Sequence, residues 1–102
     1  MTTIVVLFNL KSDADVEAYE AWARSTDLPM VNGLGSVDQF RVQRATGLLG
    51  SDQASPYQYV ELIEVPDMEA FGADVASDTV QRVAGEFQQF ADAPMFITTE
   101  AL

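Results

Sequence analysis

In 102 residues the chain sets sixteen acidic side chains against five basic ones, a formal charge of −11, and contains neither cysteine nor histidine. Disulfides, thiolate nucleophiles, sulfur-ligated metals and imidazole bases are thereby excluded, and nucleic acid or an anionic membrane surface would be repelled rather than neutralised. A hydrophobic fraction of 48% suits one folded domain over residues 1–102, with no apolar run near the roughly 20 residues of a membrane span and no basic segment ahead of the apolar stretch within MTTIVVLFNLK, so a soluble, cytoplasmic protein is expected.

TIVVLFNL, residues 3 to 10, is a β-branched and aromatic run of strand length. Ser12 followed by Asp15 resembles a capping box, and Val16, Tyr19, Trp22 and Ala23 then fall at helical spacing, which places Trp22 in the core. Glu20 and Arg24 form an outward pair four residues apart. The helix is expected to stop near Thr26, with Asp27 ending it or binding a backbone N–H, because Pro29 follows where the chain must leave the α region.

PMVNGLGSV reads as a connection. VDQFRVQRA, residues 37 to 45, alternates as a half-buried strand with Phe40 and Val42 on one face and Gln39, Arg41 and Gln43 on the other. GLLGSDQASP is a hairpin loop leading into YQYVELIEV, residues 57 to 65, where two parities compete: Val60 and Leu62 against Tyr57, Tyr59, Glu61 and Ile63. Pro66-Asp67 opens a helix carrying Met68, Phe71, Gly72 and Val75 on one stripe. Asp78 caps a second helix whose stripe is Val80, Val83, Ala84, Phe87, Phe90 and Ala91, and MFITTE is a short final strand.

The order strand, helix, strand, strand, helical region, strand is the ferredoxin-like split βαβ arrangement, an α+β fold with a four-stranded antiparallel sheet and its helices on one face. Giving the more continuously apolar parity to the helix side selects Ile4, Val6, Phe8, Phe40, Val42, Val60, Leu62 and Phe96 as core. The other face then carries Val5, Leu7, Asn9, Gln39, Arg41, Gln43, Tyr57, Tyr59, Glu61, Ile63, Met95 and Ile97. Its apolar members need a cover, and a second copy of the sheet about a two-fold axis is the simplest one, which predicts a homodimer enclosing a cavity.

NLK near the start, AYEAWAR followed by STDLP, SVDQFRVQRATGLLG, YVELIEVPDMEAFGADVA and FQQFADAP together resemble the RedY-like (HapK) family over nearly the whole chain. The resemblance implies a dimeric α+β barrel associated with prodiginine and bis-indole pigment pathways. It further implies a tailoring enzyme that guides cyclisation or condensation of a small aromatic pyrrole or indole intermediate, with no metal or organic cofactor. The pocket is expected to be lined by DLPMVNGL and YVELIEV. Asn32 is the polar residue of that connection, and without histidine any mechanism needing an imidazole base is put in doubt.

The candidate catalytic residues are Glu61, Tyr59 and Arg41. A desolvated Glu61 would exchange a proton with an indole or pyrrole N–H or an adjacent carbon; the competing reading is a passive cross-strand ion pair with Arg41. Tyr57 and Tyr59 would stack on a planar ligand or pack in a dimer interface. Gln39 and Ile63 share that face, Asn9 would orient a ligand or cap a loop, and Asn32 would touch a ligand or form a turn. Glu64, of the helix-side parity, is expected at the sheet rim, reaching a ligand only through a bulge. The alternatives to an enzyme are a carrier that sequesters the intermediate and a cofactor-independent oxygenase of the same fold.

Overall fold

The computed structural model describes all 102 residues. β1 (Thr2–Leu10) buries every second side chain, Ile4, Val6, Phe8 and Leu10, as a β-branched and aromatic run with one covered face should. α1 (Val16–Trp22) begins later than the Ser12 signal predicts. Asp15 is the N-cap and its carboxylate accepts the Glu17 N–H at 3.0 Å, so one acid both caps the helix and complements its dipole.

The expected stop at Thr26 does not occur. Ala23–Asp27 forms a π-helical turn that runs directly into α2 (Leu28–Asn32). In the wider turn the Leu28 N–H reaches back five residues to the Ala23 carbonyl. Pro29 therefore falls in the first turn of a new α-helical register, where a missing N–H interrupts no ladder bond.

β2 (Gln39–Arg44) is held to the end of α2 by Asn32. Its Nδ2 donates to the Phe40 carbonyl at 3.0 Å and to the Leu28 carbonyl at 2.9 Å, while its Oδ1 accepts the Phe40 N–H at 2.9 Å. Both backbone groups of Phe40 thus meet one side-chain amide. Asn32→Ala is expected to lower stability by about 1–3 kcal/mol, the usual consequence of orphaning such groups, read as a lower urea midpoint at unchanged slope.

β3 (Tyr59–Val65) completes the antiparallel sheet, whose strand order is β2-β3-β1-β4. Here the assigned parity is wrong. Tyr59, Glu61, Ile63 and Val65 are buried on the helix side, and Val60 and Leu62 lie on the opposite face. Cross-strand partners fix this: Phe8 faces Tyr59, Val6 faces Glu61, and Ile4 faces Ile63. The Tyr59 ring stacks on Phe8 at 5.5 Å and meets Tyr19 edge-on at 4.8 Å. Burying an aromatic, Ile63 and Val65 on one parity outweighs keeping Val60 and Leu62 inside, and Glu61 is carried inward with them.

α3 (Met68–Val75) is capped by Asp67, and α4 (Asp78–Phe90) by Ser77 rather than by Asp78, which sits in the first turn. α4 packs through Val80, Val83 and Phe87, the last edge-on to Phe8 at 5.0 Å. β4 (Ala91–Glu100) is longer than the short strand expected, because one extra residue is absorbed by a bulge between its pairings with Asn9 and Leu7, where Ala93 adopts φ +46°. Phe96 has the predicted helix-side parity, opposite Val6, but stays largely exposed at the sheet edge.

Candidate functional site

Between the sheet and the first helical segment lies a cavity of about 320 Å³. Its walls are Tyr19, Ala23, Leu28, Val42 and Tyr59, and Glu20, Arg24, Gln43 and Arg44 also line it. A second hollow of about 260 Å³ adjoins it, shares Arg44 and Tyr59, and includes Tyr57 and Gln58. The first helix contributes through Tyr19 and Ala23, four residues apart, and Asp27 continues that spacing inward. Steps of four drift by about 40° each around an α-helix of 3.6 residues per turn. The π-helical turn over Ala23–Asp27 takes up that drift, and Asp27 is only 6% exposed.

Asp27 shares the interior with Glu61, itself 4% exposed and cross-strand from the cavity residue Val42. No lysine or arginine pairs with either acid. Glu61 Oε2 and the Tyr19 hydroxyl are both buried without a hydrogen-bond partner. Burial, and secondarily the charge of Asp27, hold the Glu61 carboxyl well above the usual range. Burial alone pushes Asp27 up to about 7. Both carboxyls are thus displaced toward their protonated forms, and the two titrate as a coupled pair. Tyr19 lines the cavity and is raised by burial and then by both acids, so its hydroxyl is a donor that holds its proton.

A second acid behaves oppositely. Glu20 accepts Arg44 Nε–H at 2.8 Å, Arg44 Nη2–H and the Tyr59 hydroxyl at 2.7 Å, and lies 3.5 Å from Arg24 Nη2. The hydrogen bonds from Arg44 and Tyr59 hold it down at about 2. Tyr59 is pushed up to about 12, first by burial and then by donating to Glu20. Because that proton is committed, the Tyr59 oxygen can only accept from a ligand, and an N–H or O–H is its matching partner.

The predicted site residues are split by the reversed parity. Tyr59 lines the cavity, Tyr57 lines the second hollow, and Glu61 lies beside the cavity wall. Ile63 is core beneath Phe40. Arg41 is opposite Leu62 on the far face, so the Arg41–Glu61 ion pair does not exist. Gln39 and Glu64 pair on that same far face, which also corrects the helix-side placement of Glu64. Asn9 and Asn32 are engaged by backbone: Asn9 donates to the Pro56 carbonyl at 3.0 Å and accepts the Gln58 N–H at 2.9 Å, which fastens the β2–β3 loop. Asp27, Tyr19, Glu20, Arg24 and Arg44 were not among the expected site residues. The four-residue spacing of Tyr19, Ala23 and Asp27 was the available signal.

A family model described as REDY-like protein HapK matches residues 2–102. The chain belongs to the REDY-like HapK family. Among solved structures, HapK from Hahella chejuensis is 32% identical, with all of this chain and 93% of that one covered at a TM-score of 0.82. A protein from Arabidopsis thaliana is 16% identical over 100% and 96% of the two chains, also at 0.82. A dimeric ferredoxin-like protein of unknown function from Jannaschia is 15% identical over 98% of each chain at 0.75. The last two show the ferredoxin-like fold. No curated protein matches the sequence. In this HapK-family chain, no helix is long and apolar enough to cross a membrane.

Proposed function

We propose that this HapK-family chain is a cofactor-independent tailoring enzyme that guides cyclisation or condensation of a reactive pyrrole or indole intermediate, with Glu61 as its proton donor and acceptor. The observation that carries the reading is the pair of buried carboxyls, Glu61 and Asp27, unopposed by any cation and next to an aromatic-walled cavity. Neighbouring acids raised by desolvation are the arrangement general acid–base chemistry uses near pH 7.

In the proposed cycle the ligand ring packs in the cavity against Leu28 and Val42, and its N–H donates to the Tyr59 oxygen. The Glu61 carboxyl gives its proton to a ring carbon, and the resulting cation is balanced by the new carboxylate and by Asp27. A new bond forms by attack of the neighbouring nucleophilic carbon on the electron-poor centre. The proton then lost from the joined carbon returns to Glu61, so protons balance over one turnover.

A probe for this chemistry is 2-methylindole in D₂O, with loss of its C3–H signal followed by NMR. Protein-dependent exchange that disappears in Glu61→Gln supports the enzyme reading. Binding of 2-methylindole with no exchange above buffer favours a carrier and removes the proton-transfer role.

The far face of the sheet carries Val5, Leu7, Val60, Leu62, Met95 and Ile97, with Met95 and Ile97 at 42% and 41% exposure. We propose that a second copy covers this face and that the protein is a homodimer. Light scattering is expected to give twice the chain mass, and Leu62→Glu to shift it to the monomer mass. A clean monomer at micromolar concentration would remove the dimer.

A further inference from the structure

Arg24 and Arg44 both line the 320 Å³ cavity, although the chain has only five basic residues and a charge of −11. Both approach the one carboxylate of Glu20, so the cluster carries a net positive charge where the rest of the protein repels anions. The geometry of Arg44 is specific. Glu20 occupies the Nε–Nη2 edge of its guanidinium, and Nη1 has no partner. The end-on Nη1–Nη2 edge, which matches a carboxylate in a two-point fork, is therefore unoccupied. Glu20, itself held by Tyr59, fixes the plane of that fork in advance and lowers the ordering cost of binding. Arg44 also forms part of the second hollow, so the fork stands at the junction of the two cavities.

We infer that Arg44, oriented by Glu20 and assisted by Arg24, is an anion subsite, and that the ligand of this cavity is an aromatic nitrogen heterocycle bearing a carboxylate. The inference rests on the reading of the cavity as a heterocycle site and adds the charge that the ligand must carry. The two ends of the site have opposite demands. The Tyr59 oxygen meets the heterocycle N–H, and the guanidinium takes the acidic group. Neutral heterocycles of the same shape satisfy only the first.

The test is isothermal calorimetry with three probes: indole, indole-3-acetate and its neutral isostere indole-3-acetamide. Indole-3-acetate is expected to bind about tenfold or more tighter than the amide, as hydrogen bonds to a charged group warrant, and the advantage is expected to shrink as salt rises. Arg44→Gln is expected to erase the difference between acid and amide, the two being compared within the same variant so that any change in heterocycle affinity cancels. Arg44→Lys, which keeps the charge and loses the fork, is expected to retain only part of it. Equal affinity for acid and amide in the unaltered protein would overturn the subsite while leaving the heterocycle site standing. Binding of none of the three would overturn both. The acid–amide comparison needs no variant, so it holds whether or not the Arg44 substitutions fold.

Discussion

Glu61→Gln is expected to lower protein-dependent proton exchange by about 10²- to 10⁴-fold, the usual contribution of one positioned acid or base, with ligand affinity changed by little. The substitution keeps size and hydrogen-bonding ability and removes only the transferable proton. Folding does not depend on the charge being replaced, because Glu61 has no cationic partner to orphan and one of its oxygens already lacks a hydrogen bond. The glutamine variant is therefore expected to be at least as stable as the parent, which separates loss of chemistry from loss of structure. Asp27→Asn gives the complementary result. The Asp27 charge is one of the two causes that raise Glu61, so removing it lets Glu61 release its proton at lower pH. Activity that needs the protonated acid is present below that pKa and lost above it, so the alkaline limb of the pH–rate profile is expected to move to lower pH. An unmoved limb would show that Asp27 does not govern the donor.

The fold was legible because long periodic segments carry it. β1, β2 and the α4 stripe read directly from alternation or helical spacing, and element order alone gave the split βαβ topology. The site was less so, for two physical reasons. In β3 both parities are apolar enough to be core, and the choice depends on which one meets the Phe8 and Tyr19 rings, a tertiary fact absent from local pattern. Around Pro29 the helix was expected to end, and the π-helical turn that prevents this has no sequence signature of its own. Together these hid the acid pair, because one member was assigned to the wrong face and the other to a helix terminus. Glu20 and Arg24 were seen as a pair, but the partners that turn Glu20 into a brace, Arg44 and Tyr59, lie 24 and 39 residues away.

The same acid pair predicts an unusual dependence of stability on pH. For a carboxyl whose folded pKa is raised, the folded state binds more protons than the unfolded one in the interval between the two values. Stability is therefore complete below the unfolded pKa and falls as pH rises through the folded one. For Asp27 the interval runs from its ordinary 3.8 to about 7. At about 1.4 kcal/mol per pH unit this amounts to roughly 4 kcal/mol, a large share of the 5–15 kcal/mol typical of a domain. Glu61 is raised as well and acts in the same direction. Urea midpoints are thus expected to fall between pH 5 and pH 7.5, and Asp27→Asn to remove the Asp27 share of that fall while the Glu61 share remains. Self-repulsion in so acidic a chain also favours lower pH, and Glu100→Gln, which removes one exposed charge at the end of β4, measures that contribution. If Asp27→Asn and Glu100→Gln flattened the slope by the same amount, surface charge rather than the buried pair would be the cause. If the slope belongs to Asp27, the interior is strained at the pH where the paired acids are proposed to work. The strain comes from the same desolvation that raises Glu61, so the loss of stability and the raised proton affinity of the donor have one origin.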